Sequence, residues 1–544
     1  MKVLGINAVF HDSSAALVVD GETVAAAEEE RFNRRKHAKD CNPFTAWEPP
    51  AESAAWCLKK AGVRPQDLDA IAYSYDPDLA EQPASDLSVH EWEGLRTLYA
   101  RQAPLFLQTA LPGLRVERSH FVRHHVAHAA SAYLASPYRT CSVLVLDGRG
   151  ECGSYLAGRV VHGDLQSLAT QDLPHSLGLR YEEATMQLGF RRSSDEYKVM
   201  GLAAYGRPVH SEYFRQAMRV RGGGFETAPI DWDSLCPRRG ESDPFLQVHA
   251  DLAAGIQTRV EEMLLELAQW LHARTGDDVL TMAGGVALNC VANARLAREG
   301  PFKTVWVQPA SGDAGTALGA ALYTAHRLGD RVQPVATAAL GRAWSEGELE
   351  RWLTDAAIAF ERPHSIADAT AQIIADDGIV AWFQGQSEYG PRALGHRSLL
   401  ANPKYGNNLE RLNNIKGREQ FRPVAPMVLE SRAHEIFEGQ LPSPYMLFTH
   451  RVKNAWRDKI PAVVHVDGTA RVQTVDNRDE PLVAQMLEAV AERTGVPVVV
   501  NTSLNTAGRP MVDAPRDALE CFGSAPIDAL ALGPFLVRRN GAQA

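Results

Sequence analysis

Val3-Leu4-Gly5-Ile6-Asn7 is the stretch on which the reading of the fold turns. This apolar, strand-like run leads into the polar turn His11-Asp12-Ser13-Ser14, and the apolar run Ala15–Val19 follows. Asp20-Gly21 then has hairpin-turn chemistry, and Val24–Ala27 returns. The same succession recurs further along. Ser142–Leu146 is apolar, Asp147–Cys152 is a Gly-rich turn, Ser154–Gly158 follows, and His162-Gly163-Asp164 turns towards another strand. A strand–polar turn–strand unit written twice predicts a duplicated α/β domain.

Two such halves facing a cleft resemble the actin, hexokinase and chaperone ATPase fold, in which each first hairpin meets phosphates or metal. Helices are expected between the strands. Ala51–Ala61 is amphipathic, and Leu252–Arg274 has apolar residues at helical spacing. Gly312–Leu328 is rich in small residues, which suits close helix packing. The texture changes over Gln333–Glu346, and the link between domains is placed there, giving domains 1–345 and 346–544. The second domain mixes helices with strands such as Gly378–Trp382 and Val498–Val500.

A chain of 544 residues exceeds one ordinary core. Its 45% hydrophobic and 22% charged residues are those of a globular protein. A net charge of −10 argues against a nucleic-acid partner, because there is no basic excess to displace counterions from phosphates. No apolar run approaches the ~20 residues of a membrane span, and the first residues run into Asn7 and His11-Asp12 without a signal-like apolar stretch. Seven cysteines, an odd number with no Cys-x-x-Cys pair, fit reduced thiols in a cytoplasm.

Four constellations could carry chemistry. In His124-His125-Val126-Ala127-His128, residues four apart share a helix face, so His124 and His128 could bind one metal; the pair is equally compatible with ordinary core or surface histidines. Asp147 ends the next strand and Asp313 lies in a Gly-flanked turn. Two imidazoles and two carboxylates would suit iron(II) or manganese, and magnesium less well. Secondly, Gly148-x-Gly150-x-x-Gly153 matches a dinucleotide fingerprint, but Ser154–Gly158 reads as a strand where a helix is needed, so the glycines are read as a hairpin near a phosphate or as a bland tight turn. Thirdly, the Gly284-Gly285 pair and Asn289, between strand Val279–Met282 and a helix, fit either nucleotide contact or a structural helix start. No Walker lysine motif occurs. The fourth is a basic set around Arg392, Lys416, Arg422, Arg471 and Ser503, whose forks and hydroxyl could cradle a phosphate with a planar carbamoyl or carboxylate group.

Taken together and in order, these motifs resemble the NodU/CmcH-type O-carbamoyltransferases, a family that includes the tobramycin carbamoyltransferase. The resemblance covers nearly the whole chain. It rests on Gly5-Ile6-Asn7, His11–Ala16, Glu28-Glu29-Glu30-Arg31-Phe32, His124–Ser131, Glu196–Ala203, the Gly-Gly and Asp313 turns and the C-terminal basic motifs. It implies an N-terminal actin-like domain with metal ligands His124, His128, Asp147 and Asp313, and nucleotide contacts at Gly148, Gly150, Lys198, Gly284, Gly285 and Asn289. It implies a C-terminal domain similar to threonylcarbamoyl-adenylate synthases, with carbamoyl phosphate held by Arg392, Lys416, Arg422, Arg471 and Ser503. ATP would be co-substrate, carbamoyl adenylate the intermediate, His11 the base, and a hydroxylated small molecule the acceptor; a homodimer is left open. The stretches Lys36–Pro50, Asp76–Leu111 and Arg219–Asp243 look specific to this chain, and their Trp47, Trp92, Tyr99 and Trp232 are candidate acceptor-pocket walls. The competing readings are an actin-fold kinase or ATPase, which would not need the C-terminal basic set, and a non-catalytic nucleotide-dependent module. A metalloprotease lacks the Glu of His-Glu-x-x-His.

Overall fold

The computed structural model describes residues 1–38, 48–80, 90–506 and 508–539, with the side chains of residue 38 and residues 90–95 left out. Trp47 and the Trp92 side chain therefore lie outside the described residues. Two compact units result, Met1–Ala336 and Thr337–Ala544. The link expected over Gln333–Glu346 divides between them. From Thr337 onward it belongs to the second unit, where Gly341 donates its amide to the Ser387 carbonyl at 2.9 Å and Arg342 pairs with Asp513.

The first unit begins with β1 (Lys2–Asn7), β2 (Ser14–Val19) and β3 (Glu22–Glu28), followed by β4 (Ala70–Tyr73) and β5 (Ser119–Phe121). β1, β2 and β3 pair antiparallel, β4 and β5 add in parallel, and the sheet order is β3-β2-β1-β4-β5. A second sheet repeats this plan. β6 (Thr140–Leu146), β7 (Gly153–Val161) and β8 (Asp164–Asp172) form the antiparallel meander. After a small hairpin of β9 (Met218–Arg221) and β10 (Gly224–Thr227), β11 (Val279–Ala283) and β12 (Thr304–Val307) complete the order β12-β11-β6-β7-β8. The same order and directions twice over is the duplicated actin-like arrangement. Local chemistry explains the two tight hairpins. Asp20 and Gly21 have φ of 51° and 81°, His162 and Gly163 have φ of 54° and 93°, and two consecutive positive φ values are what a twisted two-residue hairpin requires. The strand expected after Gly148-x-Gly150-x-x-Gly153 is β7, so the dinucleotide reading stays excluded.

Close packing brings the halves together. The helix Ala314–Arg327 lies against the helix His124–Tyr133 and against β1. A Cβ on Gly319 would sit 1.8 Å from the Ala127 carbonyl oxygen, and one on Gly5 would sit 1.9 Å from that of Ala317. Only glycine permits either approach, which accounts for the small-residue texture of the segment. Leu4, Ile6, Leu17, Ile71 and Tyr73 share a core cluster behind the first sheet. Tyr99 packs into it too, only 8% exposed. It is therefore a core residue and not an open wall of an acceptor pocket.

The second unit is built on a mixed seven-stranded sheet. Its strands are β13 (Val380–Phe383), β14 (Arg397–Ala401), β15 (Ala425–Leu429), β19 (Gln473–Val475), β20 (Val498–Ser503), β21 (Ala529–Leu532) and β22 (Phe535–Arg538), in the order β19-β15-β20-β14-β13-β21-β22. Between them in sequence, β16 (Phe437–Glu438), β17 (His450–Val452) and β18 (Thr469–Ala470) make a separate small sheet. Alternation along the strands sorts side chains into two cores. Ala381, Phe383, Leu399, Val498, Val500 and Leu530 fall on one face, and Val380, Trp382, Leu400, Val499 and Ala529 on the other. A sheet covered on both faces needs the continuous apolar strands that the sequence shows. No described helix is long and apolar enough to cross a membrane, and the described cysteines are all free.

The helix contact gives the first prediction. Gly319→Ala forces the helices Ala314–Arg327 and His124–Tyr133 apart. It should lower stability by about 1–3 kcal/mol in chemical denaturation, the usual cost of overpacking a tight contact. Wild-type stability would mean that the helices have room to spare.

Candidate functional site

The helix contact carries four ligand-type side chains to one point. His124 and His128 are one turn apart on their helix, Asp147 directly follows β6, and Asp313 precedes the helix Ala314–Arg327. His124 Nε2 is 3.3 Å from Asp147 Oδ2 and 3.7 Å from Asp313 Oδ1; His128 Nε2 is 3.7 and 3.5 Å from the same two atoms. Ligand atoms around an ion with bonds of about 2.0–2.2 Å stand roughly 2.8–3.1 Å apart at right angles and roughly 3.3–3.6 Å apart at tetrahedral angles. The cluster, at 3.3–3.7 Å, stands at or just beyond the tetrahedral spacing, and its ligand atoms all lie within 4.8 Å of one another. Both ring nitrogens of the fully buried His128 lack a hydrogen-bond partner. A buried imidazole without partners is costly unless something else binds it, and here that something fits a divalent cation.

Neighbouring groups set the ligands. His124 Nδ1 is 3.2 Å from the Ser74 carbonyl oxygen, which fixes the proton there and leaves Nε2 facing the carboxylates. Ser74 Oγ donates to Asn7 Oδ1 at 3.3 Å and accepts from Thr316 Oγ1 at 2.8 Å. Glu151 Oε1 accepts the His124 amide at 2.7 Å and the Asp76 amide at 2.8 Å, so a carboxylate from the glycine turn caps the histidine helix. Gly285 donates its amide to Asp147 Oδ1 at 3.0 Å. Burial pushes the His124 and His128 imidazoles down, but the two carboxylates more than reverse this and hold His124 well above the usual range. Burial also pushes Asp147 and Asp313 up, and the imidazoles bring both below the ordinary carboxylate value. His125 is different. Burial and the neighbouring His124 push it down to about 3, so it is neutral. Its ring packs on the glycine turn, where a Cβ on Gly150 would be 2.8 Å from its Cε1.

The other expected N-terminal residues are placed as follows. Gly148 lies in the β6–β7 turn, 3.6 Å from Glu182 Oε1 if given a Cβ. Gly284 has φ of 94°, and a Cβ there would be 2.1 Å from the Leu146 carbonyl oxygen. The segment after it is one short turn, Gly285–Leu288, and the helix proper begins at Cys290, one turn later than the sequence suggested. The reason is Asn289, which caps that helix by accepting the Ala292 amide at 3.1 Å while its Nδ2 donates to Gln257 at 2.8 Å. Lys198 pairs with Asp195 at 3.1 Å.

His11 lies in a second polar cluster, with Asp12 and His37. Its Nδ1 is 2.8 Å from Asp12 Oδ2, and its Nε2 meets the Ser193 carbonyl. Burial pushes Asp12 up, but His11 and His37 outweigh it and hold Asp12 well below its usual value. Sequence reasoning missed His37 and Glu151. The signals were present: His37 follows the Glu28–Arg31 acidic run by six residues, and Glu151 sits inside the glycine turn.

In the second unit, Lys416 and Ser503 come together. Lys416 Nζ is 3.0 Å from Ser503 Oγ and also meets the Ser503 carbonyl and Asn505 Oδ1, although the residue is only 7% exposed. Arg422 pairs with Glu419 at 3.6 Å. Half-buried Arg392 sits in the loop between β13 and β14, and half-buried Arg471 follows β18. That loop is fastened by Glu388 Oε1, which accepts the amides of Leu394, His396 and Arg397 at 2.6–3.3 Å.

A family model described as Carbamoyltransferase N-terminus matches residues 2–220 and 236–322, and one described as Carbamoyltransferase C-terminus matches residues 371–539. The chain belongs to the carbamoyltransferase family, and carbamoyl transfer is the class of its chemistry. It is 38% identical to nodulation protein NolNO of Sinorhizobium fredii over 98% of this chain and 80% of that one. It is 35% identical to an uncharacterised protein of Synechocystis over 99% of this chain and 97% of that one. Among solved structures, HypF from T. kodakarensis is 16% identical with a TM-score of 0.34, covering 60% of this chain and 48% of that one. So distant a likeness adds nothing to the assignment made from strand order.

If the four-residue cluster holds a divalent ion, each ligand is indispensable. His124→Ala and Asp313→Ala should both purify with the metal lost, as read by elemental analysis. Wild-type metal content in either variant would remove that residue from the cluster's role.

Proposed function

We propose that the protein is an ATP-dependent O-carbamoyltransferase acting on a hydroxyl of a small molecule, in the manner of a secondary-metabolite tailoring enzyme. The observation that carries the reading is the four-ligand cluster His124, His128, Asp147 and Asp313 in a chain matched by both halves of the carbamoyltransferase family. The cation and hydroxyl set of the second unit supports the other half of the chemistry.

In that unit, Lys416, Arg422, Arg471 and Ser503, with Arg392, bind carbamoyl phosphate, because forked and ammonium donors match phosphate oxygens. Water cleaves it to carbamate and phosphate. A carbamate oxygen then attacks the α-phosphorus of ATP, expelling pyrophosphate and leaving carbamoyl adenylate. A mixed anhydride of this kind acylates readily and hydrolyses readily, so it needs shelter from water. In the first unit, Gly148, Gly150, Gly284, Gly285, Lys198 and Asn289 form the nucleotide-contacting surface. A divalent ion held by His124, His128, Asp147 and Asp313, whether iron(II), manganese or magnesium, would act as a Lewis acid towards a phosphate or carbonyl oxygen. The acceptor oxygen attacks the carbamoyl carbon, the bond to AMP breaks, and the acceptor proton passes to His11. With His11 Nδ1 turned to Asp12, the receiving atom is Nε2, and the acceptor hydroxyl takes the place of the Ser193 carbonyl.

Two outcomes test this. The protein should convert carbamoyl phosphate and ATP into phosphate, pyrophosphate and AMP, and Arg471→Ala or Ser503→Ala should weaken carbamoyl phosphate binding roughly 10–150-fold, the ~1.5–3 kcal/mol of one charge-assisted contact. ADP with a phosphorylated acceptor would instead establish a kinase. The second outcome separates the half-reactions. His11→Asn should lower carbamoylated product by ~10²–10⁴-fold, the usual contribution of a positioned base, while pyrophosphate release continues. Equal loss of both would assign His11 to folding or adenylate formation, and full retention of product would make it a turn residue.

A further inference from the structure

The cluster around His11 differs from the four-ligand cluster in one measurable way. Asp12 Oδ2 is 2.8 Å from His11 Nδ1, and Asp12 Oδ1 is 2.8 Å from His37 Nδ1. These are hydrogen-bond lengths. Protons bridge these atoms, and each imidazole donates Nδ1–H to one oxygen of the same carboxylate. The two rings stand with centroids 4.2 Å apart.

The far nitrogens tell the rings apart. His37 Nε2 is 3.0 Å from Ser194 Oγ, a hydroxyl able to donate, so His37 is satisfied as a neutral ring. His11 Nε2 faces the Ser193 carbonyl oxygen, a group that can only accept. Burial and the adjacent His11 push the His37 imidazole down, in agreement with that division.

We propose that His37 is a positioning residue: by occupying the second oxygen of Asp12 it fixes the Nδ1–H form of His11 and limits how strongly Asp12 holds the His11 proton. A carboxylate shared between two donors gives less of its charge to either. His11 then presents Nε2, the nitrogen turned away from Asp12, as the atom that exchanges protons. The catalytic use of this coupling rests on the role proposed above for His11; the coupling itself does not.

Other charges face the pair. Glu182 on the helix Leu177–Gln187 and Glu196 on the helix Glu196–Ala203 both act on His11, with Arg149 and Arg192 offsetting Glu182. Lys36 and Glu30 act on His37, and Glu30 accepts the His37 amide at 2.7 Å. All of them remain in place when His37 alone is changed.

The test is a titration of the full chain labelled with ¹⁵N-histidine, followed by long-range ¹H–¹⁵N spectra, with His11 assigned by its absence in His11→Asn. In the wild type, His11 should keep its Nδ1 proton throughout while Nε2 titrates. His37→Ala, which frees the second Asp12 oxygen, should raise the His11 midpoint by about one pH unit. His37→Gln, whose amide can still donate to Asp12 but cannot titrate, should return it to within a few tenths of the wild-type midpoint. A midpoint unmoved in His37→Ala, or an Nε2–H form of neutral His11, overturns the proposal. So does a second equivalent of bound metal that disappears with His37. Unchanged metal content and chemical denaturation midpoint in both His37 variants exclude a merely structural effect, and a variant that fails this control while His37→Gln also fails to restore the midpoint counts against the proposal. No substrate enters the titration. A protein that shows the coupling but never consumes carbamoyl phosphate therefore sinks the enzymatic reading and spares this one.

Discussion

The first unit depends on the close approach of the helix Ala314–Arg327 to its neighbours. Gly319 admits the Ala127 carbonyl and Gly5 admits that of Ala317, so backbones meet where side chains would ordinarily hold them apart. Asp313 stands at the start of this helix and the two histidines stand on the helix it touches, so the spacing of the four ligand atoms is a by-product of the packing distance. The sequence separation between the residues is long, yet nothing in the site has to be flexible for them to meet. The ligands sit on rigid elements, and Ser74, Glu151 and Gly285 hold them from behind.

Charge is handled differently at the two polar clusters. In the first, two carboxylates and two imidazoles face one another at 3.3–3.7 Å, too far for strong hydrogen bonds and well suited to a shared cation. In the second, Asp12 is gripped at 2.8 Å on both oxygens. Buried acids nearby are individually answered: Glu28 by Arg31, and Glu29 by the Ser53 hydroxyl and the amides of Glu52 and Ser53 at the start of the helix Ala51–Ala61.

Much of this was legible in the residues, and what was legible has a physical pattern. The duplicated meander announced itself because short continuous apolar runs and Asp-Gly or His-Gly turns are local signals. The four ligand-type side chains could be singled out because a helix puts positions four apart on one face, and because the resemblance linked them to Asp147 and Asp313. Lys416, just past the helix Asn408–Ile415, and Ser503, the last residue of β20, lie 87 residues apart and meet only in the fold. The residues missed were those whose meaning comes from a partner elsewhere. His37 looks like an ordinary basic loop residue until it is seen on Asp12. Glu151 looks like turn filler until its carboxylate is found on the His124 amide. Tyr99 was misjudged for the converse reason: an aromatic residue in a variable stretch reads as a pocket wall, yet its ring completes a core.

Gly150 also bears on which ions the site would favour. A third imidazole, His125, lies beside His124 and His128 in sequence, and a centre of three histidines would lean towards zinc or copper. Gly150 gives the His125 ring a place against bare backbone, 2.8 Å from where a Cβ would be. The ring is neutral there, and it does not belong to the group of atoms that converge at the cluster. His125 stands about 100° round the helix from His124, so its ring turns to the glycine side, and oxygen donors make up half of the set that converges.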